Sequence, residues 1–429
     1  MISTTLAVLL GKAIGASTKK LNLGGGSAAP GLYALKLDPN LILNLTKSIQ
    51  TNIVITGTNG KTTTARMLAH IAQKSGIKTI RNHTGSNLER GIASTLISGF
   101  GKKYELGIWE LDEAAFNTVA PKLNPKIIVF LNAFRDQLDR YGEVDAVVEN
   151  WCQTLKTLKR DTLVVVNGDD ANTAKLKACF GGKVVMFGLE KNKLKGEKTS
   201  QKINGKVDIK AKNLKQNKFD TLCFNLDIKK QSVLAKLNFS GTYNVYNALA
   251  AIISASYLNI SPQISVKYLQ DVTPAFGRFE KLTINSKVCF IFLIKNPTGA
   301  TEVFKTVSSQ LKEKDSLLIA LNDNLADGTD VSWIWDANFE IFRNSSRVQS
   351  REYTIYASGS RAQDLAVRIK YAGFKPEAIT VENELNKALQ QAAREKKGRL
   401  FIFPTYTAML RLQKILAKSG IKKHYWEED

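Results

Sequence analysis

A β-branched apolar run, Ile53-Val54-Ile55-Thr56, stops at Gly57-Thr58-Asn59-Gly60-Lys61-Thr62-Thr63-Thr64, and a helix-compatible run from Ala65 to Lys74 follows. That order, strand then glycine-rich loop then helix, belongs to parallel α/β sheets, because the chain must cross back over the sheet after the strand. Backbone N–H groups of such a loop converge on an anion, and the helix dipole adds partial positive charge there. Lys61 is placed to reach terminal phosphates, and the hydroxyl of Thr62 to ligate Mg²⁺. The chain is therefore expected to bind ATP.

The loop is shorter than the common phosphate-binding pattern. G-x-x-x-x-G-K-[ST] wants glycine five residues before Gly60, where this chain has Ile55, and the glycine falls at Gly57 instead. The spacing points to a particular branch of nucleotide enzymes.

At 429 residues the chain has room for two or three domains. Its cysteines, Cys152, Cys179, Cys223 and Cys289, are widely spaced, with no C-x-x-C pair, so neither a zinc ribbon nor a disulfide framework is readable. A reducing, cytoplasmic setting fits that usage. The net charge of +23 suits phosphorylated substrates, anionic lipid or a solvated lysine-rich surface. No nucleic-acid motif accompanies it, and a nucleic-acid partner is not expected. Much of the lysine lies between Lys191 and Lys218, which reads as an exposed insert or hairpin. No apolar run reaches transmembrane length. Near the N-terminus, Ile2, Leu6, Leu9, Leu10, Ala13 and Ile14 share one helical face. A packed amphipathic helix is the first reading of that face; an export signal and a membrane-surface helix are the alternatives.

Glycines at 24–26 and Pro30-Gly31 set residues 1–48 apart as an N-terminal extension. Strands are then expected at Asn52–Thr56, Lys78–Ile80, Leu106–Glu110, Ile127–Leu131 and Thr162–Asn167, with helices at Thr63–Ser75, Leu88–Phe100 and Val144–Leu158. Val184–Phe187 and Leu234–Phe239 read as further strands and Tyr243–Ala255 as a helix. Pro274-Ala275-Phe276-Gly277-Arg278 looks like a boundary. Beyond it the alternation restarts, with strands at Val288–Ile294, Ser316–Leu321, Thr354–Tyr356 and Leu400–Phe403. Helices are expected at Ala300–Lys312, Arg361–Ala372, Glu382–Glu395 and Tyr406–Lys418. The expectation is a central α/β domain over 49–276, carrying a lysine-rich insert at about 190–220, and a C-terminal α/β domain over 277–429.

Glu110 ends an apolar strand and opens Glu110-Leu111-Asp112-Glu113. Open α/β sheets bind ligands at this edge, so Glu110 is a candidate Mg²⁺ ligand beside Thr62. The next strand ends in another polar loop, Asn132 to Gly142.

Together these segments resemble the Mur ligase family. The nucleotide loop matches G-T-[NK]-G-K-T at Gly57 to Thr62. Asn132, Asp136, Gln137, Leu138 and Asp139 are similar to N-x-x-x-D-H-L-D. Tyr243-Asn244-Val245-Tyr246-Asn247-Ala248-Leu249-Ala250-Ala251 is similar to H-N-x-x-N-A-L-A-A. Gly277-Arg278-Phe279-Glu280 matches G-R-[FM]-E. The segments around Asn82–Leu88, Glu110–Ala114, Lys295-Asn296-Pro297, Asn322-Asp323-Asn324 through Trp333-Ile334-Trp335-Asp336, Ser358–Ala362 and Pro404–Leu410 narrow the likeness to MurT-type subunits of lipid II isoglutaminyl synthase, from near Gly11 to about Leu412.

The resemblance implies a Mur ligase-like fold, a central P-loop parallel-sheet domain followed by a Rossmann-like C-terminal α/β domain. It also implies ATP-dependent amidation, through an acyl phosphate, of the D-glutamate α-carboxyl in the lipid II stem peptide, with ammonia from a GatD-like glutaminase in a heterodimer. By motif, Gly57, Thr58, Asn59, Gly60, Lys61, Thr62 and Thr63 hold the phosphates and Lys61 takes the transferring group. Thr62 and Glu110 ligate Mg²⁺, Asn247 lies near adenine, and Arg278 lies near the bound nucleotide. An acid of this chain is expected to orient the His of the glutaminase's Cys-His pair; the best match is Asp336, with Asp330 second. The C-terminal domain would be the glutaminase-interacting one, the complex would work at the inner face of the membrane, and peripheral contact with that surface is expected to follow.

The chain departs from the family at two places. Many members carry a four-cysteine zinc ribbon where this chain has the lysine-rich stretch, and only Cys179 and Cys223 lie near it, so no zinc is expected. Gln137 stands where many amino-acid-adding relatives have His. His83 is a candidate substrate contact or an ordinary loop histidine. The competing readings are a stand-alone Mur or folylpolyglutamate-type ligase that adds an amino acid, and a nucleotide-gated scaffold without turnover.

Overall fold

The structure is a computed structural model describing residues 2–20, 28–82, 86–134, 144–190, 207–217, 221–228, 231–238, 241–272, 279–343, 353–394 and 398–421. Among these residues the chain builds two sheets in succession, one of nine strands and one of six.

The first sheet contains β1 (Thr51–Thr56), β2 (Thr79–Arg81), β3 (Leu106–Glu110), β4 (Ile127–Phe130), β5 (Leu163–Asn167), β6 (Lys183–Leu189), β7 (Ile209–Asn217), β8 (Thr221–Ile228) and β9 (Gln231–Leu237). Their spatial order is β2-β3-β1-β4-β5-β6-β7-β8-β9. Strands β2 to β7 run parallel, and β7-β8-β9 continue as an antiparallel meander. The central strands are continuous apolar runs because both faces are covered. Alternate residues of β1 go to opposite cores. Ile53 and Ile55 meet α4 (Lys61–Lys74) and α9 (Thr242–Tyr257), while Val54 and Trp109 face the opposite layer. That layer holds α5 (Glu89–Gly99), α6 (Phe116–Leu123) and α7 (Val144–Thr157), with the short α8 (Ala171–Ala174) beyond β5.

Two departures from the sequence reading, and one refinement of it in the lysine-rich stretch, have physical causes. The N-terminal helices α1 (Ile2–Lys20), α2 (Ala29–Leu37) and α3 (Leu41–Thr46) share the core of this sheet. The face that α1 buries is Ala7, Val8 and Gly11, whereas Leu6, Leu9 and Leu10 of the expected apolar face are exposed. Small residues win the inner face because the backbones approach closely: a Cβ on Gly11 would lie 2.7 Å from Ile97 Cδ1. In the lysine-rich stretch, residues 191–206 lie outside the described residues, but 209–217 form β7. There Lys212 pairs with Asp227 (2.8 Å) and Glu190 (3.3 Å). Finally, Cys152 on α7 and Cys179 form a disulfide, Cα–Cα 5.2 Å, which the spacing of 27 residues did not reveal.

The second sheet contains β10 (Glu280–Ile284), β11 (Lys287–Ile291), β12 (Ser316–Ala320), β13 (Thr354–Ser358), β14 (Ile379–Val381) and β15 (Leu400–Pro404), in the order β10-β11-β15-β12-β13-β14. The β10–β11 pair is antiparallel and the rest parallel. One face packs α11 (Pro297–Ser308) and α12 (Ala362–Tyr371) around a Phe304–Phe339–Phe342–Phe403 cluster; the other packs α13 (Leu385–Arg394) and α14 (Tyr406–Lys418). Helix α11 begins three residues before the expected Ala300. Asn296 caps it by accepting from Gly299 N (2.8 Å), and Pro297 suits the first turn. α10 (Pro262–Leu269) closes the first half. The expected boundary at Pro274–Arg278 lies outside the described residues.

Candidate active site

The loop after β1 is wedged between the ends of β4 and α9. Gly57 and Gly60 have φ of +132° and +96°, and Cβ atoms there would lie 2.8 Å from Asn132 O and 2.2 Å from Asn247 Oδ1. Only glycine fits either position. Asn132 pins the loop on both sides: its Oδ1 accepts from Asn59 N (2.7 Å), its Nδ2 donates to Asn59 O (2.9 Å), and its backbone O accepts from Thr58 N (3.0 Å). Asn247 is buried beneath the loop, accepting from Thr64 Oγ1 (3.3 Å) and donating to Asn244 Oδ1 (3.1 Å). It therefore braces the start of α4 at the phosphate end of the loop. Thr62 and Thr63 lie in that first turn.

Lys61 is 9% exposed and donates to Gly57 O, to Thr58 O (3.4 Å) and to Glu113 Oε2 (2.9 Å). Glu113 is itself buried. Burial pushes its carboxyl up, but the ammonium groups of Lys61 and Lys295 outweigh burial and hold it below the usual carboxylate range. Glu113 is a site residue whose place the sequence reading left unassigned. Its signals were the short acidic run that Glu110 opens and the family likeness of the segment Glu110–Ala114.

At the C-terminal edge of β3, Glu110 Oε2 accepts from Thr62 Oγ1 at 2.8 Å. Asn82, at the end of β2, fixes the Glu110 backbone: Glu110 N donates to Asn82 Oδ1 (2.8 Å) and Asn82 Nδ2 donates to Glu110 O (2.9 Å). A hydroxyl and a carboxylate this close are a hard-oxygen donor pair of the kind Mg²⁺ takes together with phosphate oxygens. The residues fit that ion.

The second sheet contributes from the opposite side. Lys295 Nζ donates to Thr58 O (3.5 Å), and Asn59 and Asn296 exchange side-chain amide hydrogen bonds of 3.1 and 3.3 Å. The loop is thus enclosed by groups from both halves of the chain.

Asp336 and Asp330 are exposed and lie far along the chain from the loop residues, on either side of the 3-10 turn Ser332–Trp335. Asp330 is engaged locally, accepting from Ser332 N (2.8 Å) and Ser332 Oγ (2.9 Å). Asp336 ends the 3-10 turn Ser332–Trp335, next to Trp335, which is half exposed and packs edge-on to exposed Tyr371. Buried Arg368 holds that turn, donating to Ile334 O (3.0 Å), Ala337 O (2.8 Å) and both oxygens of Glu340 (3.0 Å each). Nothing in the sequence singled out Arg368. Arg278, Asp136, Gln137, Asp139 and His83 lie outside the described residues.

Two family models match the chain in tandem: a Mur ligase middle domain over residues 55–255 and a MurT ligase C-terminal domain over 293–409. The chain is similar to the MurT subunits among the Mur-type ligases along nearly its whole length. It is 29% identical to a MurT relative of Streptococcus pneumoniae named as a subunit of lipid II isoglutaminyl synthase (glutamine-hydrolyzing), over 98% of each chain. A Staphylococcus aureus MurT relative of the same name is also 29% identical, over 92% of this chain and 93% of that one. MurT-family likeness at this level extends in fold to MurF of Acinetobacter baumannii, with a TM-score of 0.70 at 19% identity over 91% of this chain and 80% of that one. MurF of Thermotoga maritima, solved with ADP, has a TM-score of 0.67 at 15% identity over 89% and 82%. These structures carry the same fold.

Proposed function

We propose that this chain is the ATP-using half of a glutamine-dependent enzyme that amidates the D-glutamate α-carboxyl of the lipid II stem peptide. The observation that carries this reading is the full-length likeness to lipid II isoglutaminyl synthase subunits, which includes the MurT C-terminal domain as well as the nucleotide loop. A central domain over 49–276 and a C-terminal domain over 277–429 divide the work, the first holding nucleotide and the second closing over it.

A carboxylate is a poor acyl donor. Its oxygen attacks the γ-phosphorus of ATP, the bond to the β-phosphate oxygen breaks, and ADP leaves an acyl phosphate. Ammonia then attacks the acyl carbon, phosphate departs, and a proton is lost to give the amide. Lys61 exchanges Glu113 for the transferring phosphoryl group. The N–H groups from Thr58 to Thr63 cradle the phosphates. Thr62 and Glu110 hold Mg²⁺, which neutralises phosphate charge. Asn247 supports the loop and the nucleotide above it, and Arg278 contacts the nucleotide. The pairing of Asn59 with Asn296 supports closure that keeps water from the acyl phosphate.

The ammonia comes from a glutaminase partner docked on Trp335 and Tyr371, with Asp336 orienting that partner's catalytic His. The place of Asp336 at the end of Trp333-Ile334-Trp335-Asp336 favours it over Asp330 for this role. The test is reconstitution with the glutaminase, ATP, glutamine and lipid II, read by mass spectrometry. The expected product replaces one OH of the stem by NH₂, and Lys61→Ala abolishes it. ATP left unspent under those conditions would refute the reading. Incorporation of an amino acid instead of NH₂ would favour a stand-alone ligase.

A further inference from the structure

Two of the N-terminal helices, α1 and α2, turn leucines outward. On α1 the inner face is Ala7, Val8 and Gly11, and the outer face shows Leu6 (56% exposed), Leu9 (58%) and Leu10 (38%). On α2 the inner residues are Gly31 and Ala34, and the outer ones Leu32 (40%), Tyr33 (48%) and Leu37 (53%). Both helices rest on α5 through those small residues. Gly11 abuts Ile97, and a Cβ on Gly31 would fall 1.9 Å from Arg90 O. Their outer faces therefore point away from α5 together, and Leu43 of α3 is exposed beside them in the chain. Helices that only had to pack would place leucine inward and small polar residues outward. Exposed leucines gathered on the outer faces of two packed helices mark an interaction site.

The charges of the segment itself are mostly of one sign. Residues 1–48 contain Lys12, Lys19, Lys20, Lys36 and Lys47 against one acid, Asp38. Asp38 is buried, accepting from Asn40 N (3.0 Å), Thr4 Oγ1 and Asn44 Nδ2 (3.3 Å), so its charge is spent on the α1–α3 junction. Lys36 lies over the Tyr33 ring at 5.5 Å, and Lys12 over the half-exposed Phe100 ring at 5.4 Å. Exposed leucines accompanied by Lys12 and Lys36, with the one acid of residues 1–48 buried, complement a negatively charged surface that is apolar just beneath.

We propose that the outer face of α1 and α2 docks on an anionic lipid bilayer, with Leu6, Leu9, Leu10, Leu32 and Leu37 entering the headgroup boundary and Lys12 and Lys36 meeting phosphate groups. The proposal goes beyond the amidation reaction and stands on this surface alone. No described helix is long and apolar enough to cross a membrane, so the contact is peripheral.

The experiment is co-sedimentation of the full chain with vesicles of phosphatidylcholine, alone or mixed with phosphatidylglycerol. Binding is expected to the mixed vesicles, to weaken with added salt, and to fall about tenfold in the double variant Leu6→Ser/Leu9→Ser. A melting curve checks that this variant folds. If it does not, Lys12→Glu/Lys36→Glu must weaken binding in its place. Three results would overturn the proposal: no binding to the mixed vesicles, binding that these variants leave unchanged, or protection of residues 2–20 from hydrogen exchange by the glutaminase or by self-association in the absence of lipid.

Discussion

Lys61 Nζ lies 2.9 Å from Glu113 Oε2, with both side chains buried, so the cation expected to meet phosphate is already neutralised by a carboxylate of this chain. A buried ammonium without a partner is costly, and the pair avoids that cost until a phosphate takes the place of Glu113. Nucleotide binding at this loop is then an exchange of anions around one lysine.

Glu113→Gln removes the resident anion and leaves Lys61 under-compensated. The expected loss is about 3 kcal/mol of stability, as for breaking other buried pairs. MgATP should recover more of the melting temperature in this variant than in the parent, because phosphate then supplies the missing charge. Thermal melts with and without MgATP check it; equal nucleotide shifts in the two proteins would remove Glu113 from the exchange.

The same pair sets a pH dependence. Glu113 is held below its ordinary value near 4.5, so its stabilisation is complete above that value and is lost as pH falls through the lower, folded-state value. Chemical denaturation from neutral to acid pH should show the parent losing stability in that acid window. Glu113→Gln should lack this component of the loss.

Gly60→Ala tests the loop's shape. A methyl group at φ +96° and 2.2 Å from Asn247 Oδ1 forces either the loop or α9 to move. ATP binding is expected to fall by at least an order of magnitude while the far sheet stays folded, measured by calorimetry and by circular dichroism. Restoration of binding in Gly60→Ala/Asn247→Ala would identify the Asn247 contact as the greater part of the obstruction.

Reduction should weaken the first half of the chain. The Cys152–Cys179 bond closes a separation of 27 residues, which in the chain-entropy account is worth about 3 kcal/mol. Reductant is expected to lower the melting temperature of the parent and to leave Cys152→Ser unmoved. An identical melt of the parent in both conditions would show that the bond adds nothing to stability.

Much of this architecture could be read from the chain, and the residues that could not share a cause. The parallel strands were visible because burial on both faces makes them continuous apolar runs, as in Ile127–Phe130 and Leu163–Asn167. Lys61, Thr62 and Glu110 were visible because their spacing from strand ends follows from the connection itself. Glu113 and Asn296 lay in segments that the family likeness marked, but their pairings, like that of Arg368, join residues far apart along the chain, and local spacing carries no trace of such pairs. The face of α1 was misread because hydrophobic periodicity assumes that leucine goes inward. Here close backbone approach gave the inner face to Ala7 and Gly11. The disulfide was missed for the related reason that two cysteines 27 residues apart meet only after α7 packs.

Arg368→Ala separates the support of the Trp333–Asp336 turn from the chemistry proposed for Asp336. Arg368 is almost fully buried, holds two backbone carbonyls and forks onto Glu340, while its guanidinium lies over the rings of Trp335 (5.6 Å) and Phe339 (5.0 Å). Its removal leaves the Ile334 and Ala337 carbonyls without this donor and should cost about 3 kcal/mol of stability. Glutamine-dependent amidation should fall with loss of partner binding, whereas ammonium-dependent turnover, where the chain supports it, should persist below the melting temperature. Asp336→Asn, by contrast, should retain the partner and the melting temperature and lose glutamine hydrolysis. Calorimetric binding of the glutaminase, read beside both activities, distinguishes the two variants. Matching defects in all three would mean that Asp336 acts only by shaping the turn.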